Sequence, residues 1–578
     1  MKRIGIAIMV MFVVIVGCTK QEDEPSIGDH RAHQDDPQKA ATVKIFGKPF
    51  AFNFESGIQN DDVAKEIRRQ TGIAIDIESK PEDSKFEVML ASGDLPDIIV
   101  TERKYMDQLI QGNNVIALDE LLGQHGQTLA KEMPERLAFS KRNLSRGSNK
   151  LYFIPGSAGK PAPDYKYDSP GWNIRWDYYR ELGYPPYTQL LDLLPILKEM
   201  QDRHPTNERG QKVYALAPLF DFGLDPAIRE FGSRFYGRSS TAGLIDVDNK
   251  TLEISSSILD NSNSFWVSMD FYFQANQLGL LDPDSFLMKF DNHRDKVKNN
   301  QVLFDQWSWA GVRDANKLFV DAGKPLQGWE PLPPVPGITP YVGEYGMNGN
   351  ADLAWAITKS SKNPERAMDV LNYLLSYEGS RLMINGIQDR DWEVVDGKPR
   401  LKQETIKARK EDKNYSVRTG IGKYNNYQSY TNGAMDPLYQ VPIDYSLSAD
   451  AFKDNLTELD RAYSSKYGAS YPGEVVDRLV SRGEIQLNYF DYDKFGALPT
   501  TPPDDIQRIQ SQIDNYLQTI FPKLILAKNE VTFASLKAEV QGEVQHLGYN
   551  KVLAYYIDMY KKNKRAMEAG TSSGEDMQ

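Results

Sequence analysis

Trp307 and Trp309 flank a single serine just after an apolar run, Gln301 to Asp305, and this pair is the chain's clearest candidate for ligand chemistry. Alternation along an extended strand end puts both indoles on one face, with Ser308 on the other. A flat ring of this kind removes about 150–250 Å² from water when covered, and it matches the apolar CH face of a sugar. Asp, Glu, Asn or Arg nearby would meet the rim of hydroxyls. Trp172 with Arg175 forms a second set. Its guanidinium can fork onto hydroxyls or a carboxylate, or onto Asp177 two residues on. Asp94 and Asp97 flank Pro96 after a short helical pattern. Asp94 would either reach a ligand or bond neighbouring backbone N–H groups. Tyr341, Glu344 and Tyr345 occupy a Gly-rich loop before a strand. Trp355 sits inside an apolar strand and reads as core.

Catalytic signatures are missing from the sequence. There is no Gly-x-Ser-x-Gly elbow, no His-Glu-x-x-His helix and no Gly-x4-Gly-Lys-Ser/Thr phosphate loop. The six histidines are scattered at 30, 33, 125, 204, 293 and 546. Acidic residues number 80, so a carboxylate pair is possible by count, but none stands in a distinctive context. A secreted hydrolase or lyase and a peptide-binding protein, to which the Tyr-rich stretch Tyr424 to Tyr430 would also suit, remain alternatives to a sugar binder. The net charge of −12 argues against nucleic acid as a partner. The basic run Lys561 to Arg565 falls near the end of a helical pattern, where cations complement the dipole.

The elements that must position these residues begin after an N-terminal address. Lys2 and Arg3 precede an apolar run from Ile4 to Val16, which is too short for a comfortable bilayer span. The one cysteine, Cys18, follows Ile15-Val16-Gly17. This ending resembles the lipobox of bacterial lipoproteins. The resemblance implies cleavage after residue 17 and a diacylglycerol thioether on Cys18, which would hold the protein at the outer face of the cell membrane. Residues 18–41 are polar and read as a flexible tether.

A length of 578 residues calls for at least two large lobes. Val43 to Phe54, Ile73 to Ile77 and Asp97 to Thr101 read as strands, with helices over Asp61 to Gln70 and Ser84 to Ala91 between them. This order predicts a parallel sheet covered on both faces. Further strands are expected at Leu151 to Pro155, Trp172 to Trp176, Lys212 to Ala217, Gln301 to Asp305 and Leu353 to Thr358. Helices are expected at Thr188 to Arg203, at Asn363 to Ile384 and almost throughout Asp504 to Lys562, with a polar tail over 563–578.

Several motifs agree in order with a known family. Val63 to Gly72, Leu90 to Asp97 (Leu-Ala-Ser-Gly-Asp-Leu-Pro-Asp), Leu118 to Leu121, Asn173 to Gly183, Trp307 to Trp309 and the stretch from Lys362 to Gly379 together resemble the extracellular solute-binding proteins of carbohydrate ABC importers, in their long lipoprotein branch. The resemblance spans roughly 42 to 562. It implies an α/β, two-lobed periplasmic-binding-protein-like fold of type II with the ligand, a sugar or oligosaccharide, in the cleft between lobes that close on it. It also implies an ABC permease as partner, a monomer and no enzymatic activity. One lobe is expected over 42–160 plus 326–400 and the other over 161–325 plus 401–562. Some members carry a calcium loop, and the matching stretch here is Asp202 to Lys212. Arg203, Arg209 and Lys212 stand where calcium needs oxygens, so no metal and no cofactor are expected.

Overall fold

The computed structural model describes residues 41–47, 55–79, 83–160, 162, 172–223, 225–241, 243–339, 349–424, 427, 429–487 and 502–572. The export signal, Cys18 and the tether to residue 40 lie outside them. Its strands are β1 (Ala41–Phe46), β2 (Gly57–Ile58), β3 (Ile73–Glu78), β4 (Ile98–Thr101), β5 (Ile154–Gly156), β6 (Asn173–Arg175), β7 (Tyr214–Leu216), β8 (Arg238–Thr241), β9 (Ile245–Asp248), β10 (Ile254–Ser256), β11 (Val302–Asp305), β12 (Trp329–Pro331), β13 (Asn350–Ile357), β14 (Trp392–Val395) and β15 (Lys398–Leu401).

Local chemistry sets the first βαβ unit. Asp61 caps the helix Asp62–Thr71 by accepting from the Ala64 N–H at 2.9 Å. Gly72 ends it in the left-handed conformation, φ 68°, where its N–H returns to the Arg68 carbonyl. Val63, Ala64 and Ile67 form its buried face. The apolar runs β3 and β4 then lie parallel to β1, with Val43 opposite Ile75 and Ile45 opposite Ile98. Runs of this kind are buried on both faces, as parallel strands require.

Among the described residues the first sheet has the order β2-β3-β1-β4-β13-β5 and the second β12-β6-β11-β7. Each has its own hydrophobic core. The chain leaves the first sheet after β5, enters the second at β6, and returns from β12 to β13. The helices Asp504–Ile525, Glu530–His546 and Tyr549–Ser572 add Leu517, Phe521, Val544 and Tyr560 to the second core.

Several expected boundaries are corrected. β12, expected in the first lobe, pairs with β6 in the second sheet, with Trp329 opposite Arg175. Tyr415, Tyr424, Tyr430 and Ile443, expected in the second lobe, lie in the first core. The helix expected over Asn363 to Ile384 is two, Pro364–Leu374 and Tyr377–Asn385, because the Ser376 side chain caps the second one at the Gly379 N–H (3.0 Å). A Cβ on Gly379 would lie 2.1 Å from the Tyr373 carbonyl oxygen, so this close turn requires glycine. The last helix continues to Ser572, past the expected start of the tail at 563.

Residues 415–443 are fastened to the first core by Asp61. Besides capping its helix, its carboxylate accepts from Lys423 Nζ at 2.7 Å and from the Tyr424 hydroxyl. Asp61→Ala would leave Lys423 buried without its counter-ion. It should lower unfolding stability in urea by about 3 kcal/mol or more. An unchanged midpoint would mean that this segment is held by packing alone.

Candidate ligand crevice

A crevice of about 650 Å³ runs between the second sheet and the segment that returns to the first core. One wall belongs to the second sheet. It presents Asn173 from β6, Trp329 to Pro331 from β12, Ser308, and Arg313 and Asn316 from the helix Arg313–Asp321. The other wall is the β14–β15 hairpin, the helix Gln403–Glu411 and residues 441 to 456. Leu401, Ile406, Val441, Tyr445 and Phe452 supply apolar lining, and amides, hydroxyls and charges of both signs supply the polar lining.

The lining is held in place by its own bonds. Asn316 brackets Trp329, accepting from its N–H and donating to its carbonyl, both at 2.8 Å. Lys398 Nζ lies 3.1 Å from Asp450, and this bond holds the Asp450 carboxyl below its usual range. Arg409 donates to the Ile384 carbonyl at 2.8 Å. Tyr445, 1% exposed, donates to Asp436 at 3.2 Å, and Arg381 reaches the same carboxylate at 2.6 Å. Asp460 accepts from the N–H and hydroxyl of Thr457, at 2.6 and 2.7 Å, in a capping box.

The residues expected from the sequence are distributed differently. Strand β11 stops at Asp305 and Ser308–Val312 coils into a helical turn, so the strand alternation expected for Trp307 and Trp309 does not apply. The turn needs Gly311, at φ 115°, where a Cβ would lie 2.9 Å from the Arg294 carbonyl oxygen. Trp307 is 8% exposed and packs with Leu219 and Ala310, while Ser308 lines the crevice. The side chain of Trp309 lies outside the described residues, as do Tyr341, Glu344 and Tyr345.

Trp172 and Arg175 belong to the second core rather than to an open cleft. Trp172 meets the rings of Phe231 and Phe235 edge-on at 5.6 and 5.4 Å. Arg175 forks onto Asp177 at 3.0 and 2.7 Å, and its guanidinium lies 4.0 Å from the Tyr178 ring centre. Burial opposes its charge, but Asp177 more than offsets this and holds the guanidinium above its usual range. Asp94 is exposed at the amino-terminal end of β4, away from the carboxyl ends of the strands. Its neighbour Asp97 accepts from the Lys44 N–H and the Ser361 hydroxyl, at 2.9 and 2.7 Å. Trp355 is 1% exposed, as an apolar strand predicts. In the stretch matched to the calcium loop, the Asn207 side chain accepts from the N–H groups of Arg209 and Gln211, Arg209 donates to Asn299 and Glu208 pairs with Lys324. Cations and backbone donors thus take the oxygens there.

The crevice residues that sequence reasoning missed are Asn173, Asn316, Glu330 and the whole wall from 393 to 456. Only Asn173 had a signal, as the first residue of a matched motif. The others depend on which distant segments face each other.

No family model and no curated protein sequence matches the chain. Solved structures match it over nearly its whole length. It is similar to the alginate-binding protein AlgQ2 without calcium ion, with a TM-score of 0.60, 18% identity and coverage of 91% of this chain and 98% of that one. It is similar to the ABC-transporter substrate-binding protein FusA of S. pneumoniae in complex with kestose (TM-score 0.59, 15% identity, 91% and 100% covered). A third match is an HMO-binding, ABC-transporter-associated solute-binding protein from Bifidobacterium longum infantis (0.53, 14%, 90% and 99%). The fold is therefore the two-lobed, periplasmic-binding-protein-like α/β fold that the sequence implied.

Two tryptophans separate packing from bonding in this region. Among the described residues the buried Trp172 Nε1–H has no hydrogen-bond partner, whereas Trp392 Nε1–H donates to the Gly386 carbonyl at 3.0 Å. Trp392→Phe should therefore cost about 1 kcal/mol more than Trp172→Phe in denaturant titrations. Equal losses would mean that the indole bond adds nothing.

Proposed function

We propose that the chain is the solute-binding component of an ABC importer, a non-enzymatic lipoprotein. It captures a sugar or oligosaccharide outside the cell and delivers it to the permease by closure of the two lobes. The observation that carries the reading is the crevice of about 650 Å³ between the second sheet and the facing segments from 393 to 410 and 441 to 456, lined by apolar side chains together with amides, hydroxyls and charges of both signs. That combination suits a ligand with CH faces and many hydroxyls. Two of the crevice carboxylates are already engaged, Asp450 on Lys398 and Asp460 in its capping box.

The lipid on Cys18 would tether the protein at the outer face of the cell membrane, where two acyl chains give stable anchoring. Among the described residues no helix is long and apolar enough to cross a membrane. Trp309, Tyr341 and Glu344 remain proposed contacts, together with Phe452 and Asn173 from the crevice. Trp307 is proposed to support this wall from behind.

The protein from residue 19 onward, heated with a panel of plant and bacterial oligosaccharides, should be stabilised by one glycan class. At about 100 times the dissociation constant the gain should be ~2.7 kcal/mol, and the glycan should be recovered intact. Phe452→Ala should weaken binding of that glycan about tenfold. Shortened glycan would mean a hydrolase or lyase. A shift only with peptides would overturn the carbohydrate assignment.

A further inference from the structure

A buried ion pair lies behind the crevice wall. His293, on the helix Phe290–Lys298, is 2% exposed, and its Nε2 lies 2.7 Å from Asp305 Oδ2 at the end of β11. The ring meets the carboxylate off its N–H axis, so the contact is ionic more than directional. The other carboxylate oxygen accepts the Trp307 N–H at 2.8 Å, and the Asp305 carbonyl accepts from Asn173 Nδ2 at 3.4 Å. Asn173 and Ser308, next to Trp307, both line the crevice. Asp305 therefore joins the two strand ends that make this corner of the wall. Around it stand Phe231, Tyr272 and Phe304, with a void of about 20 Å³, room for one water at most. A carboxylate in such surroundings needs a cation, and His293 is in contact with it.

We propose that His293 is a positioning residue for the ligand crevice: charged, it fixes Asp305, and through Asp305 the backbone of Trp307 and the side chain of Asn173. The proposal rests on the ligand-crevice reading above. It makes capture pH-dependent. Burial pushes the imidazole pKa down, but Asp305, helped by the Ala217 carbonyl and by Asp282, outweighs burial and raises it above the ordinary value. The other groups on this side do not reverse the sign. The Tyr272 hydroxyl is held by the Ala227 carbonyl at 2.9 Å, Asp282 is paired with Lys296 at 2.5 Å, and Arg294 is paired with Asp314. A raised folded-state pKa means that the contribution is complete below about pH 6.5 and is lost as pH rises through the raised value. The wall is then firm in mildly acidic medium and loosens in alkaline medium.

The test uses the protein from residue 19 onward and the oligosaccharide that gives the thermal shift. Affinity is measured between about pH 5.5 and about pH 9. In parallel, hydrogen exchange without ligand follows the protection of the Trp307 amide, corrected for its intrinsic pH dependence. The wild type should lose about tenfold in affinity as pH rises, with a parallel fall in protection. His293→Gln should show the weak, poorly protected state at every pH, and His293→Lys should flatten both profiles toward the firm state. Flat wild-type profiles, or a His293→Gln profile like that of the wild type, would overturn the proposal. If no oligosaccharide binds, the sugar reading fails, and the exchange measurement still decides on His293: pH-dependent protection lost in His293→Gln keeps its link to Trp307, and flat protection removes it.

Discussion

Asp61 carries a constraint on which much of this architecture depends. Its carboxylate is 2% exposed, caps the first helix, and bonds Lys423, which lies 362 positions further along the chain. A buried charge is tolerated where its oxygens are filled, and here a backbone N–H, an ammonium and a hydroxyl fill them. Arg136 repeats the device a short way off, donating to Ser429 Oγ at 2.5 Å under the ring of Tyr430. With residues 415 to 443 fixed on the first core, the hairpin and helix that precede them face the second sheet. The crevice is the space this arrangement leaves.

Legibility in the sequence follows from how local each cause is. β3 and β4 could be read because parallel strands buried on both faces appear as apolar runs, and β1 because its apolar and polar residues alternate. The first helix could be read because its cap, its stop and its buried stripe all lie within a dozen residues. The lobe boundaries could not. Trp329 to Pro331 is a three-residue stretch with no pattern that picks one sheet, and only its pairing with β6 decides. Tyr424, Tyr427 and Tyr430 join the first core, where Asp61 and Arg136 supply partners that no local pattern announces.

The candidate site was less legible for a related reason. An aromatic ring beside an arginine suits a ligand pocket and a packed core equally well. Trp172 found Phe231 and Phe235, and Arg175 found Asp177, so both are engaged inside one lobe. The Trp307 to Trp309 stretch lies just past the end of β11, and its geometry turns on Gly311. The turn buries Trp307 and brings Ser308 to the surface of the crevice.

The edge of the second sheet bears on what could occupy the crevice. β12 is an edge strand, and a free edge invites an extended peptide to add as a further strand. Here the outward N–H and carbonyl of Trp329 are both taken by the Asn316 side chain, at 2.8 Å each. Two residues on, Pro331 has no N–H to offer. Glu330, between them, faces Ile174 of β6. Along these residues the wall therefore presents side chains rather than a backbone ladder. Recognition by mixed apolar and polar side chains suits a ring with hydroxyls at its edge. Strand addition would first have to displace Asn316 from both of its bonds, so the edge that looks most open to a peptide disfavours one.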